Sequence, residues 1–380
     1  MSALNIVVSG MVAGVPGQGG ASWAVLQYLL GLRRLGHHVV LGEPVSVPRG
    51  AGLADSQAVA YCEVVMKAAG LDGDWALLEA GSTRTAGRTY DDVLRYARSA
   101  DLLLNVSGML ADEALLEAVP VRAYLDLDPA FNQLWHEVEG IDMRFAGHTH
   151  FVTVGLALGT DGCPVPTCGR RWITTVPPVV LEEWPVGDEV SWPAFTTVAN
   201  LRGYGSVTYG GALYGQKVHS LRGVSDLPTR IPERFLLAMV VHPEEEQDLR
   251  MLRANGWELV DPADVAATPH GYRRFVQGSK AEFGLAKSGY VVSRSGWFSD
   301  RSACYLASGR PVVAQDTGFP AYLPTGDGLL SFADADDVVA AVERINGDYG
   351  RHRRAARVIA EEHLDSDRVL VRLLEQLGAP

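Results

Sequence analysis

Short apolar runs recur along the chain, and amphipathic stretches separate them. Asn5 to Ser9, His38 to Gly42, Trp75 to Glu79, Asp101 to Val106, Val121 to Leu127, Phe151 to Leu156 and Trp172 to Val176 read as strands. Each is brief, rich in branched or bulky side chains and bounded by polar or glycine positions. Trp23 to Leu35, Gln57 to Ala69, Tyr90 to Ser99, Asp112 to Ala118 and Phe131 to Val138 show helical spacing. Ser22 fits the N-cap of the first helix, and Gly36 fits the glycine past its end. Strands that are apolar throughout belong in a parallel sheet covered on both faces, so the alternation predicts a doubly wound α/β domain.

Prolines and rising polarity from Val176 to Pro185 mark a connector. We expect domains over 1–185 and 195–365 and a closing helical segment over 366–380, a division that also suits a chain of 380 residues. In the second domain a helix from Glu244 to Asn255 precedes a strand from Trp257 to Val260. The stretch from Gly289 to Phe332 holds the most compact unit. It reads as a strand (Tyr290 to Ser293), a loop (Arg294 to Trp297), a helix (Ser299 to Ser308), a strand (Pro311 to Ala314) and a polar turn (Gln315 to Gly318). Helices from Ala335 to Arg344, Tyr349 to His363 and Asp367 to Leu377 follow.

Charge and cysteine usage narrow the partners. A net charge of -12 argues against a nucleic-acid partner. No apolar run reaches membrane-span length, and MSALNIVVSG lacks the basic start of a signal peptide. Four cysteines do not make a disulfide framework, which fits a cytoplasmic protein. Cys163 and Cys168 form a C-x4-C pair, but no second pair completes a zinc set. Monomer and homodimer both remain open.

Polar residues collect just past the carboxyl ends of the strands, where open α/β sheets bind ligands. Gly17 to Gly20 precede a helix and suit phosphate contact, and Glu43 lies at about the distance of a ribose-binding acid. Asp126 and Asp128 follow an apolar strand and suit a general base or an electrostatic stabiliser; alternatively Asp128 caps the next helix. His148 and His150 flank Thr149 as a base, metal ligands or an ordinary polar loop. Trp297 and Phe298 suit stacking on a base or sugar, or core packing. Lys280, Glu282, Lys287, Arg294 and Arg301 bring charge to one strand end, and Arg294 suits bidentate phosphate contact. Asp316-Thr317-Gly318 spells an aspartic-protease triplet, but a single copy in an α/β pattern does not supply that chemistry.

The opening VPGQGGASWAVLQYLLGLRRLGHHVVL resembles the first strand, loop, helix and strand of GT-B glycosyltransferases, particularly the retaining glycogen-synthase-like group. The glycine pair is Gly19-Gly20 and the turn is Arg34-Leu35-Gly36-His37. ACYLASGRPVVAQDTGFPAYLPTGDGLL resembles that group's donor-site signature. Cys304 stands where the signature carries a ribose-binding glutamate, and Gly296 stands at the offset of its upstream acid, with Asp300 nearby. Arg202 and Lys217 fall in the region of the family's basic pyrophosphate pair, at another spacing.

The resemblance implies two Rossmann-like domains facing across a cleft. It implies sugar transfer from a nucleotide-diphosphate sugar to a small-molecule acceptor, with no metal and no cofactor beyond that co-substrate. The donor is expected against Gly19, Gly20, Lys217, Phe283, Arg294, Ser295, Trp297, Asp300, Arg301, Asp316, Thr317 and Gly318, and the acceptor near Asp126, Asp128 and His150. Two alternatives stand beside it: an NAD(P)-dependent oxidoreductase built on the first domain, and a catalytically degenerate nucleotide-binding protein.

Overall fold

A computed structural model describes residues 2–47, 52–241 and 245–378. The first sheet contains β1 (Asn5–Ser9), β2 (His38–Val45), β3 (Trp75–Glu79), β4 (Thr85–Gly87), β5 (Leu102–Val106), β6 (Val121–Asp126), β7 (His150–Thr153) and β8 (Trp172–Thr174). Helices α1 (Gly19–Arg34), α2 (Gln57–Ala68), α3 (Tyr90–Ser99), α4 (Glu113–Ala118) and α5 (Phe131–Glu137) connect these strands. After β9 (Trp192–Asn200) comes a hairpin of β10 (Val207–Tyr209) and β11 (Ala212–Tyr214). The second sheet continues with β12 (Phe235–Val240), β13 (Glu258–Val260), β14 (Ser279–Gly284), β15 (Val312–Gln315) and β16 (Leu329–Phe332). Its helices are α6 (Lys217–Arg222), α7 (Leu227–Arg230), α8 (Glu246–Ala254), α9 (Pro262–Val265), α10 (Pro269–Gly278), α11 (Ser288–Ser293), α12 (Asp300–Ala307), α13 (Ala335–Gly347), α14 (Tyr349–Ile359) and α15 (Ser366–Gln376).

Both sheets carry the same topology. The first runs β4-β3-β2-β1-β5-β6-β7-β8 and the second β13-β12-β9-β14-β15-β16. The pairings are parallel except at β4, which runs antiparallel to β3. In each sheet the strand order reverses beside the first strand, and the crevice outside the carboxyl ends at that point is where such folds bind ligands. The two lobes share one apolar cluster, which runs from β1 and α1 through Trp184 to Tyr272 and α12. The last helix, α15, returns to pack on α1, where Leu370 and Ser366 crowd Gly31 and Arg34 pairs with Asp367.

Three local readings need correction. Tyr290 to Ser293 is not a strand but most of α11; the strand is β14, disguised by Lys280 and Glu282. Those two charges are paired, with Glu233 and Arg301, so β14 is buried despite its polar sequence. Ser22 is not an N-cap. Helix α1 begins at Gly19, and the buried Ser22 hydroxyl donates to the Val12 carbonyl at 2.9 Å. The helix expected from Glu244 begins at Glu246 among the described residues, Glu244 itself lying outside them.

The lobes meet most closely at α1. The Gly19 amide donates to the Ala266 carbonyl at 2.9 Å. A Cβ on Gly19 would lie 2.2 Å from the Thr268 carbonyl oxygen, and one on Gly20 would lie 2.9 Å from the Tyr272 ring. Backbone oxygen cannot swing aside as a side chain does, so Gly19→Ala forces the lobes apart. We expect it to cost about 1–3 kcal/mol of stability, the usual range for overpacking, read as a lowered urea midpoint, whereas an unchanged midpoint contradicts the contact.

Candidate functional site

A cleft of about 350 Å³ opens between the carboxyl ends of the two sheets. On the first lobe its wall is the glycine loop and the start of α1 (Gly17, Gln18, Gly20, Ala21). The loop is fixed from below. Glu43, fully buried, accepts the amides of Val12 at 2.9 Å, Ala13 at 3.0 Å and Gly14 at 2.5 Å. Burial pushes its carboxyl up to about 7 although three amides hold it down. Glu43 therefore serves its own loop and is not free to bind a ribose. The loop's first amides are consumed, and what remains for a ligand is the first turn of α1. There Gly20 and Ala21 have no carbonyl one turn back within the helix, and the dipole favours an anion.

The second lobe supplies the opposite wall. Val198 to Asn200 end β9, and Asp300 and Arg301 open α12. Arg301 is held by Glu282 at 2.5 Å and by the Val198 carbonyl at 3.0 Å, which aims its guanidinium along the strand ends. Lys217 begins α6, and its ammonium makes no hydrogen bond or ion pair with any described residue. Burial, then Arg301, pull Lys217 down to about 8, against the opposing pull of Asp128 and Asp300. Burial likewise raises Asp300 above the ordinary carboxylate range, although Arg301 and Lys217 oppose it. Arg301 thus faces a helix N-terminus across the cavity, and Lys217 lies close enough to Arg301 and Asp300 to feel both charges. The arrangement suits a multiply charged anion.

Several expected site residues stand elsewhere. His150 is the first residue of β7 and pairs with Ala123, whereas Thr153 pairs with Asp126, so His150 sits at the opposite end of the sheet from the cleft. Phe283 is fully buried among Phe235, Trp257 and Phe332 and stacks on no ligand. Arg294 ends α11 in the left-handed conformation (φ 46°), with an exposed side chain. Asp316, Thr317 and Gly318 brace the preceding loop. Asp316 accepts the Gly318 amide at 2.7 Å, while Thr317 donates to the Trp297 carbonyl and accepts the Gly296 amide. Ser295 is buried and takes the Ala157 amide on its carbonyl, and Trp297 stacks on Tyr290 at 4.3 Å. The Ser295 carbonyl thereby ties this loop to the first lobe.

The two aspartates after β6 have different tasks. Asp126 accepts from the Asp128 amide, Asn132, Gln133 and Thr153 at 2.7–2.9 Å, and burial raises it to about 6. Both its oxygens are occupied, so it offers none to an acceptor. Asp128 reaches across the boundary to Lys287 at 2.8 Å and also accepts from Tyr204 and Tyr290. Lys287 was visible in the sequence only as one of the charges near a strand end, and Tyr204 and Tyr28 carried no periodic or spacing signal. His148 bonds Asn105 at 3.0 Å and is kept neutral by burial. The Cys304 thiol is buried, with its pKa raised, and takes a 3.7 Å contact from Gln27. Among the described residues no group of three His, Cys, Asp or Glu side chains is placed to hold a metal.

No family model matches the sequence, and no curated protein matches it either. Solved structures do match over the full length. An α-glucosyltransferase in complex with UDP and a 13-mer DNA superposes with a TM-score of 0.63 at 12% identity, covering 100% of both chains. The Anabaena protein HepE, in complex with UDP and glucose, gives 0.60 at 10% identity over 99% of this chain and 100% of its own. Sucrose-phosphate synthase from Thermosynechococcus elongatus gives 0.55 at 12% identity over 98% and 99%. The chain has the two-lobed GT-B fold that these proteins share.

Asp126→Asn places an NH2 group against donors that need an acceptor. We expect a loss of about 1–3 kcal/mol per unsatisfied buried group, measured by guanidinium unfolding, with no loss if the four hydrogen bonds are incidental.

Proposed function

We propose that the protein moves a sugar from a nucleotide-diphosphate sugar to a small-molecule acceptor. The observation that carries this reading is Arg301 facing the first turn of α1 across the cleft, with Lys217 in electrostatic range of Arg301 and Asp300. UDP in the HepE and α-glucosyltransferase complexes makes a uridine diphosphate the first donor to try. The diphosphate lies between the two cations and the amides of Gly20 and Ala21. As the glycosidic bond breaks, negative charge grows on the leaving diphosphate, and fixed cations and amides aimed at it lower the barrier. In this reading those groups do the work a metal does in other transferases. The polar residues around Asp300 face the sugar.

One feature favours a transferase over the oxidoreductase alternative. An oxidoreductase of this fold needs an acid free for the ribose, and Glu43 is spent on its own loop. A catalytically degenerate nucleotide-binding protein would keep Lys217 and Arg301 as well, and turnover is what separates it from an enzyme. One structural neighbour is complexed with DNA. With a net charge of -12, the present chain is proposed to use a small acceptor instead.

Lys217→Ala is expected to weaken UDP binding ~10- to 100-fold in calorimetry, the worth of a hydrogen bond to a charged group. Because the ammonium loses its proton as pH rises through about 8, wild-type affinity falls between pH 7 and 9, and the variant loses that dependence. Release of UDP from UDP-glucose by the wild-type protein separates an enzyme from a degenerate binder. Equal UDP affinity in wild type and variant contradicts the assignment.

A further inference from the structure

A second, smaller cavity of about 100 Å³ lies beside the donor cleft, between the lobes. Its walls are carbon: Leu127, Val154, Pro177 and Pro178 from the first lobe, Trp297 and Phe298 from the second. Helix α1 runs past both spaces. Gly20 and Ala21 line the cleft, while Ala24 and Tyr28, one and two turns further on, line the small cavity. Among the described residues Asp300 alone lines both.

Two polar side chains in this apolar space are open to a ligand. The Tyr28 side chain is 2% exposed and its hydroxyl has no hydrogen-bond partner. An unpaired buried hydroxyl costs about 1–3 kcal/mol, so native proteins rarely keep one without a ligand or water to meet it. The Asp300 carboxylate takes the backbone amides of Asp300 and Arg301 and one long side-chain contact, from Ser299 at 3.4 Å, and no short side-chain donor. The third polar side chain is already committed, since Gln27 accepts the Val180 amide at 2.8 Å and donates to Cys304. Burial and the Asp300 charge keep the Tyr28 proton in place, so its hydroxyl remains a donor.

We propose that this cavity is the acceptor subsite and that it takes a small apolar alcohol or phenol, whose hydroxyl is held between Tyr28 and Asp300. The proposal rests on the sugar-transfer reading above. The volume accommodates a single ring or a short branched chain, and the carbon walls offer a polyol nothing for its other hydroxyls. In the reaction the acceptor oxygen bonds to the sugar C1 as the bond from C1 to the diphosphate oxygen breaks. The electron pair of that bond leaves with the diphosphate, and the acceptor proton passes to the Asp300 carboxylate.

Phenol is the probe. In the wild-type protein, phenol is expected to raise UDP release from UDP-glucose at least tenfold over background hydrolysis and to yield phenyl glucoside by mass spectrometry, whereas glycerol and glucose do not. Tyr28→Phe is expected to raise the KM for phenol about tenfold with the KM for UDP-glucose unchanged. Asp300→Asn lowers kcat ~10²–10⁴-fold, the usual worth of a general base. Ala24→Leu, which fills the cavity from α1, abolishes phenol binding and leaves background hydrolysis intact. Crystals soaked with phenol read the same subsite without any donor. A ring in the cavity with its hydroxyl near Tyr28 supports the proposal, and water alone there overturns it. Stimulation by glycerol or glucose but not phenol also overturns it. If UDP-glucose is neither bound nor hydrolysed, the sugar-transfer reading fails instead, and the soak still decides the cavity.

Discussion

The amide of Gly19 donates to the carbonyl of Ala266 across the boundary between the lobes, and no side-chain atom fits between the two backbones. That approach fixes where the first turn of α1 points. It fixes with it the width of the cleft, since the next residues along the helix form one wall and Arg301 forms the other. Neighbouring contacts reinforce it: Trp23 donates to the Pro269 carbonyl at 2.8 Å and Tyr61 to the Ala267 carbonyl at 3.0 Å. The glycine pair thus serves packing and chemistry together. Only a residue without Cβ lets the helix end come close enough for its free amides to share a ligand with cations of the other lobe.

The charges of the cleft are arranged at different depths. Arg301 is neutralised in part by Glu282 beneath it, so its burial is compensated and its orientation set. Lys217 has no such partner, and desolvation beside Arg301 leaves its proton loosely held. In the proposed donor complex a dianion near both would supply the missing countercharge. Near a protein surface a unit-charge pair at ~4 Å is worth about 4 kcal/mol before desolvation costs. Glu43 and Asp126 play the opposite part. Each is a buried carboxylate saturated by donors from its own lobe, and each turns a loop into a rigid platform facing the cleft.

The fold was legible because parallel strands buried on both faces are largely apolar, and β1, β2, β5, β6 and β15 are such runs. Reading failed at β14, where paired charges replace apolar side chains, and at α11, whose apolar Tyr290 to Val292 imitates a strand. Gly20, Asp300 and Arg301 were visible from the sequence and line one cleft, with Lys217 in electrostatic range of the last two. Arg294 and Asp316 to Gly318 do not line the cleft of Gly20 and Arg301, because spacing along a chain says which strand end a residue follows, not which way its loop turns. His150 shows the same limit: a polar residue next to a strand can flank either end, and only the register with β6 decides. Tyr28 was invisible, since one hydroxyl on an apolar helix face looks like core until its missing partner is seen.

The most direct test is the position of the diphosphate in a crystal of this protein grown with UDP. The account predicts phosphate oxygens between the Lys217 ammonium and the amides of Gly20 and Ala21, with Arg301 beside them. A diphosphate bound instead against Arg294 and Gly318, or a cleft without nucleotide at saturating UDP, contradicts it.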